Sequence, residues 1–164
     1  MIPTTFNGDL IIRATPVNVM LPTRYVMPKE VMQAALDVYM EEHVKQNRSY
    51  GELNYAERHM YDTYGTINLR NISHRMTGYH WWMDTTNLTT QLYIHARPCD
   101  TPLGNSLKDL LAADVSIHAS YRGIGSIVDN KASADFRIVC FDISTDSVPA
   151  SIGIFRQDEF GQRV

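Results

Sequence analysis

Cysteine is scarce in this chain. Cys99 and Cys140 are the only two, too few for a disulfide framework, and they read as reduced, partly buried thiols of a cytosolic product. No run of about 18 apolar residues occurs, so no transmembrane helix and no membrane partner are expected. The opening stretch, MIPTTFNGDLIIRATP, lacks a basic segment followed by a sustained apolar one and reads as mature protein. A basic arm is missing too. With a formal charge of -3 and a pI near 6.0, a nucleic acid held mainly by charge is not an expected partner.

What is present is ordinary for a soluble globular protein: 44% hydrophobic and 20% charged residues over 164 positions. That length buries a core without a metal or disulfide staple. No repeat, low-complexity tract or linker divides it, so a single domain over residues 1–164 is expected.

The periodicities predict strands with a few helices. Leu10–Ala14 is a short apolar run ended by Pro16. From Lys29 to about Lys45, Met32, Ala35, Leu36, Tyr39 and Met40 recur at helical spacing behind Pro28. The methionines of that stripe read as core filler. Thr66–Ser73 and Leu88–His95 alternate apolar and polar residues and suit an antiparallel pair. Thr101-Pro102 signals a capped helix carrying Leu103, Leu107, Leu110 and Leu111. Val115–Ser120 and Phe136–Ile143 read as strands, with a turn over Arg122–Gly125. An α+β fold with a mainly antiparallel sheet or barrel follows.

Ser120-Tyr-Arg-Gly-Ile-Gly-Ser126 is the segment with chemical promise. A serine closes a strand, an arginine follows two residues on, and two glycines free the backbone. Such a turn presents an Oγ while aiming N–H groups and a guanidinium at a developing oxyanion. Alone, this pattern is more often structural. It comes, however, in a specific order with Tyr25-Val-Met-Pro-Lys-Glu-Val31, Gly51-Glu-Leu-Asn-Tyr-Ala56, Ser73-His74, Trp81-Trp82, Asp100-Thr-Pro-Leu-Gly-Asn-Ser-Leu107 and Asp135-Phe136 running to Asp142.

In that order the chain resembles the prohead (capsid-maturation) serine proteases of tailed bacteriophages, over roughly Leu21 to Pro149. The resemblance implies a β-barrel-like core ringed by helices, similar to the herpesvirus assemblins. It puts the nucleophile at Ser120 and the oxyanion-side residue at Arg122, with Asp142, or else Asp135, as the weak third member. The general-base histidine position falls on Tyr55, with Asn54 and Ala56 beside it where the family has Asp and Pro. The stretch between Ala56 and Ser73 is several residues longer than in the family, and His118 and Tyr121 flank the serine where the family has small residues.

A phenol with an ordinary pKa of about 10 is protonated at neutral pH and is no general base there. Losing the histidine of a serine-protease triad lowers kcat by about 10⁶, on the order of 8 kcal/mol of barrier. His59, four residues after Tyr55, and His118, two before Ser120, are the substitute bases to consider. His74, His80 and His95 lack zinc-site spacing, and neither metal nor cofactor is expected. Trp81, Trp82 and Tyr79 offer an aromatic patch, with core packing expected for at least one tryptophan.

The expected function is a prohead-protease-like protein, catalytically impaired, serving as a structural or assembly component of the phage head or virion. The alternative is an active serine endopeptidase that cleaves scaffold and capsid precursors. Capsid, core or tail proteins are the expected partners, with self-association compatible. The expected location is the host cytoplasm during assembly, with retention in the virion the further expectation for a structural component.

Overall fold

A computed structural model of the chain describes residues 4–6, 8–21, 24–55, 65–86, 88–145 and 154–155. The strands in chain order are β1 (Thr4–Phe6), β2 (Asp9–Arg13), β3 (Tyr50–Glu52), β4 (Ile72–Asp84), β5 (Thr89–Pro98), β6 (His118–Ile124), β7 (Ile127–Val128), β8 (Lys131–Ala132), β9 (Arg137–Ser144) and β10 (Ile154–Phe155). Two α-helices that lie wholly among the described residues, α1 (Lys29–Tyr39) and α2 (Pro102–Ala112), flank them. Among the described residues the strands make a five-stranded sheet, β1-β2-β5-β4-β3, a three-stranded sheet, β10-β6-β9, and the β7-β8 hairpin. Every pairing is antiparallel except that of β10 with β6. The fold is α+β and mainly antiparallel.

Single parallel bridges join the two larger sheets. Ala14, just past β2, pairs with Ala119 of β6, and Leu53, just past β3, pairs with Ile143 of β9. Following the neighbours round gives β2-β5-β4-β3-β9-β6 and back to β2. The result is a barrel-like ring closed by two bridges. Ile12, Met76, Leu92, Ile94 and Ala96 from one sheet meet Ala119, Phe141 and Ile143 from the other in the core.

Helix α1 closes one side of this core with Met32, Ala35, Leu36 and Tyr39, all buried, so its methionine packs as filler. Asn18 Oδ1 accepts from the Lys29 N–H at 2.9 Å and supplies the cap that Pro28 lacks. The helical stretch ends as a π-helical turn, Met40–Val44, rather than continuing as α-helix to Lys45. In α2 the Thr101 Oγ1 accepts from the Gly104 N–H at 3.0 Å, the cap its sequence predicts.

Two strand limits differ from the sequence reading. Of the expected strand Thr66–Ser73, only Ile72 and Ser73 are in a strand. Leu69–Asn71 form a 3₁₀ turn, with Asn68 Oδ1 accepting from the Arg70 N–H at 3.0 Å, and β4 begins only at Ile72. Local side-chain capping competes there with the ladder. The other change matters more for function. β6 runs through Arg122 and Gly123 to Ile124, so Ser120 lies inside a strand and not at its end. A bulge between Arg122 and Gly123 absorbs the irregularity expected as a turn.

Candidate functional site

Alternation along β6 sorts its residues onto two faces. Tyr121 points inward: its hydroxyl lies 2.9 Å from that of Tyr25, and its ring meets Phe136 and Phe141 edge-on. It does not crowd the serine. His118, Ser120 and Arg122 take the other face. Across the ladder, Ser120 is paired with Asp142 and Arg122 with Cys140.

Arg122 is buried, and all three of its side-chain nitrogens are engaged. Nε donates to Asp142 Oδ2 at 2.7 Å, Nη2 to Asp142 Oδ1 at 3.2 Å and Glu52 Oε2 at 2.9 Å, and Nη1 to the Thr66 carbonyl at 2.8 Å. The Asp142 carboxylate also accepts from the Glu52 backbone N–H at 3.0 Å and from Cys140 Sγ at 3.4 Å. One guanidinium thus joins β3, β6 and β9, strands of both large sheets. It sits over the Tyr55 ring, with Cζ 3.7 Å from the ring centroid. Cation–π attraction strengthens where water is excluded.

Among the described residues, two acidic side chains, Glu52 and Asp142, share the Arg122 guanidinium. Burial raises the Asp142 pKa against the opposing pull of Arg122. Burial alone would lower that of Arg122, but Cys140, Asp142 and Glu52 carry it above its ordinary value. The guanidinium therefore stays charged. Burial likewise pushes the Cys140 thiol up, which leaves it a small, inert core residue.

Ser120 is buried among these groups, yet its Oγ has no hydrogen-bond partner among the described residues. Neither Tyr55 nor His118 bonds it. Burial, and the charge of Arg13 after it, lower the His118 pKa. Asp135 is occupied elsewhere, accepting from the Ser126 N–H at 3.0 Å and Oγ–H at 2.6 Å. His59 falls outside the described residues. The structure therefore brings Ser120, Arg122, Asp142 and, through Arg122, Tyr55 into one cluster. It leaves Asp135 apart.

One participant had no role in the sequence reading. Glu52 lies in the Gly51-Glu-Leu motif, and its signal was an acid inside an otherwise apolar short strand. His74 belongs to the Ser73-His74 motif, which reads as a strand-packing pair. Its Nε2 lies 2.7 Å from the Phe141 carbonyl, to which it donates, so Nδ1 accepts from Ser73 Oγ–H, also at 2.7 Å. Full burial lowers its pKa to about 4, so the ring is neutral. It reaches Phe141 across Gly51, where a Cβ would lie 2.0 Å from the Phe141 oxygen and 2.5 Å from His74 Nε2. His74 and Gly51 are thus one device that staples β4 to β9.

The site is thus a serine inside a strand, with an arginine two residues on and an aspartate opposite. Residues 6–148 match the model of the prohead core protein serine proteases. The chain belongs to that family. A solved structure of the capsid assembly protease gp21 of bacteriophage T4 has the same fold, with a TM-score of 0.64, 19% identity and coverage of 88% of each chain. No curated protein matches the sequence.

Proposed function

We propose that this family member is catalytically impaired and serves as an assembly component of the phage head or virion. The observation that carries the reading is the state of Ser120. Its Oγ is buried with no imidazole bonded to it among the described residues, while Tyr55 packs its ring on Arg122. A serine hydroxyl becomes a competent nucleophile when a neighbouring base takes its proton. The oxyanion-side candidate, Arg122, is drawn onto Asp142, Glu52 and the Thr66 carbonyl. What such a protein keeps is a folded surface for capsid, core or tail proteins, or for its own copies, during assembly in the host cytoplasm. Retention in the particle then distinguishes it from a protease that is lost after acting.

The competing reading is an active serine endopeptidase acting on scaffold and capsid precursors, with His118 or His59 as base. His118 favours it by sharing the strand face of Ser120. Labelling with a fluorophosphonate probe separates the two. The impaired reading expects no Ser120-dependent labelling in the natural chain, and labelling restored in Tyr55→His. Labelling of the natural chain that disappears in Ser120→Ala, together with self-cleavage, would overturn it.

A further inference from the structure

One edge of β6 belongs to β9. The other edge is met by two short parallel contacts: Ala14 beside Ala119, and β10 with Ile154 and Phe155 opposite Gly123 and Ile124. Ser120–Arg122 lie between them. From Ser120 to Gly123 is about 10 Å along the strand. The chain's own tail thus adds a strand to the element that carries the serine, ten residues after β9 ends at Ser144.

Two features make this edge suited to exchange. The pairing is parallel and only two residues long, a weaker arrangement than an antiparallel ladder. The glycines at 123 and 125 serve a different contact: a Cβ there would meet the Phe136 ring at 2.2 Å and the Phe136 backbone at 2.8 Å. Between these glycines, Ile124 is 48% exposed and offers an apolar contact.

We infer that the Gly123–Ile124 edge is a docking strand for an extended apolar peptide running parallel to β6, and that Ile154–Phe155 act as its displaceable internal occupant. An incoming segment of another chain, with the Ile152-Gly-Ile-Phe155 character of the tail, pairs by main-chain hydrogen bonds as the tail does. A tethered occupant competes at high effective concentration, so the free edge binds such a peptide more tightly than the occupied one. Docking here is independent of whether Ser120 reacts, so it stands or falls apart from the impaired-protease reading.

The test uses the full-length chain and a fluorescein-labelled peptide spanning residues 150–157, read by anisotropy. Ile154→Pro with Phe155→Pro removes the tail's donors and is expected to tighten peptide binding by roughly tenfold or more. Of the Gly123 and Ile124 amides, which point to opposite edges of β6, the one facing β10 is expected to exchange slowly in the natural chain, fast in this variant, and slowly again with peptide. Ile154→Asp with Phe155→Asp gives the same readout should the prolines disturb folding. Equal affinity for natural and variant chains, binding to neither, unchanged exchange at Gly123–Ile124, or equal binding of a scrambled peptide would each overturn the inference.

Discussion

The Arg122 guanidinium sits over the Tyr55 ring, with 3.7 Å from Cζ to the ring centroid. Phenol and guanidinium make a packing pair, and Arg122 holds the carboxylates of two strands at the same time. Tyr55 is therefore part of the scaffold of this cluster. Tyr55→Phe, which keeps the ring, is expected to be more stable than Tyr55→Leu, which loses it, by about 1–2 kcal/mol. Urea denaturation of the two variants measures the difference directly. Equal stabilities would mean that the stacking contributes nothing.

Removing Arg122 should be severe, because Glu52 and Asp142 would lose the buried cation that bridges them. Arg122→Met is expected to lose about 3–5 kcal/mol, the range for breaking a buried ion pair from one side. Replacing all three together, with Glu52→Gln and Asp142→Asn, should recover most of that loss, since no uncompensated charge remains. A denaturation series on the single and triple variants checks both. A triple variant no better than Arg122→Met would show that packing, not charge, dominates at this site.

His74 makes stability depend on pH in a defined direction. Its pKa drops from an ordinary 6.5 to about 4 on folding, so the unfolded chain binds the extra proton first as pH falls. The contribution is fully present above pH 6.5 and is lost as pH falls through that value toward about 4. A shift of about 2.5 units corresponds to ~3 kcal/mol. His74→Gln should flatten the fall in midpoint between pH 7 and 4.5, whatever its own stability at pH 7. A natural chain whose midpoint is level over that window would contradict the assignment.

How much of this was legible in the sequence depended on the range of the interaction. The α2 cap at Thr101 and the buried stripe of α1 are local, and they stand where the spacing puts them. The order of motifs carried the family and put Ser120, Arg122 and Asp142 together. Thr66–Ser73 misled because its alternation is real but its backbone is engaged elsewhere, with the Thr66 carbonyl taken by Arg122. Gly123 read as part of a turn because its missing side chain makes room for Phe136, a contact between strands that period cannot reveal. Glu52 stayed unassigned for the same reason: its cation is 70 residues away in the chain.

Ser120 separates a structural role from a vestigial one. A buried hydroxyl without a partner costs about 1–3 kcal/mol of lost hydration, and no described residue repays it. A serine kept for the fold would be bonded, and removing its Oγ would weaken the protein. Here Ser120→Ala deletes an orphaned polar atom at almost constant packing. It is expected to leave stability unchanged or to raise it by up to about 1 kcal/mol. Thermal or urea midpoints of the natural chain and Ser120→Ala decide the matter, and Ser120→Cys serves as the control of similar shape. A loss of more than about 1 kcal/mol in the alanine variant would mean that Oγ has a structural partner after all. The serine would then be a piece of scaffold, and the vestige of chemistry would have to be sought elsewhere in the cluster.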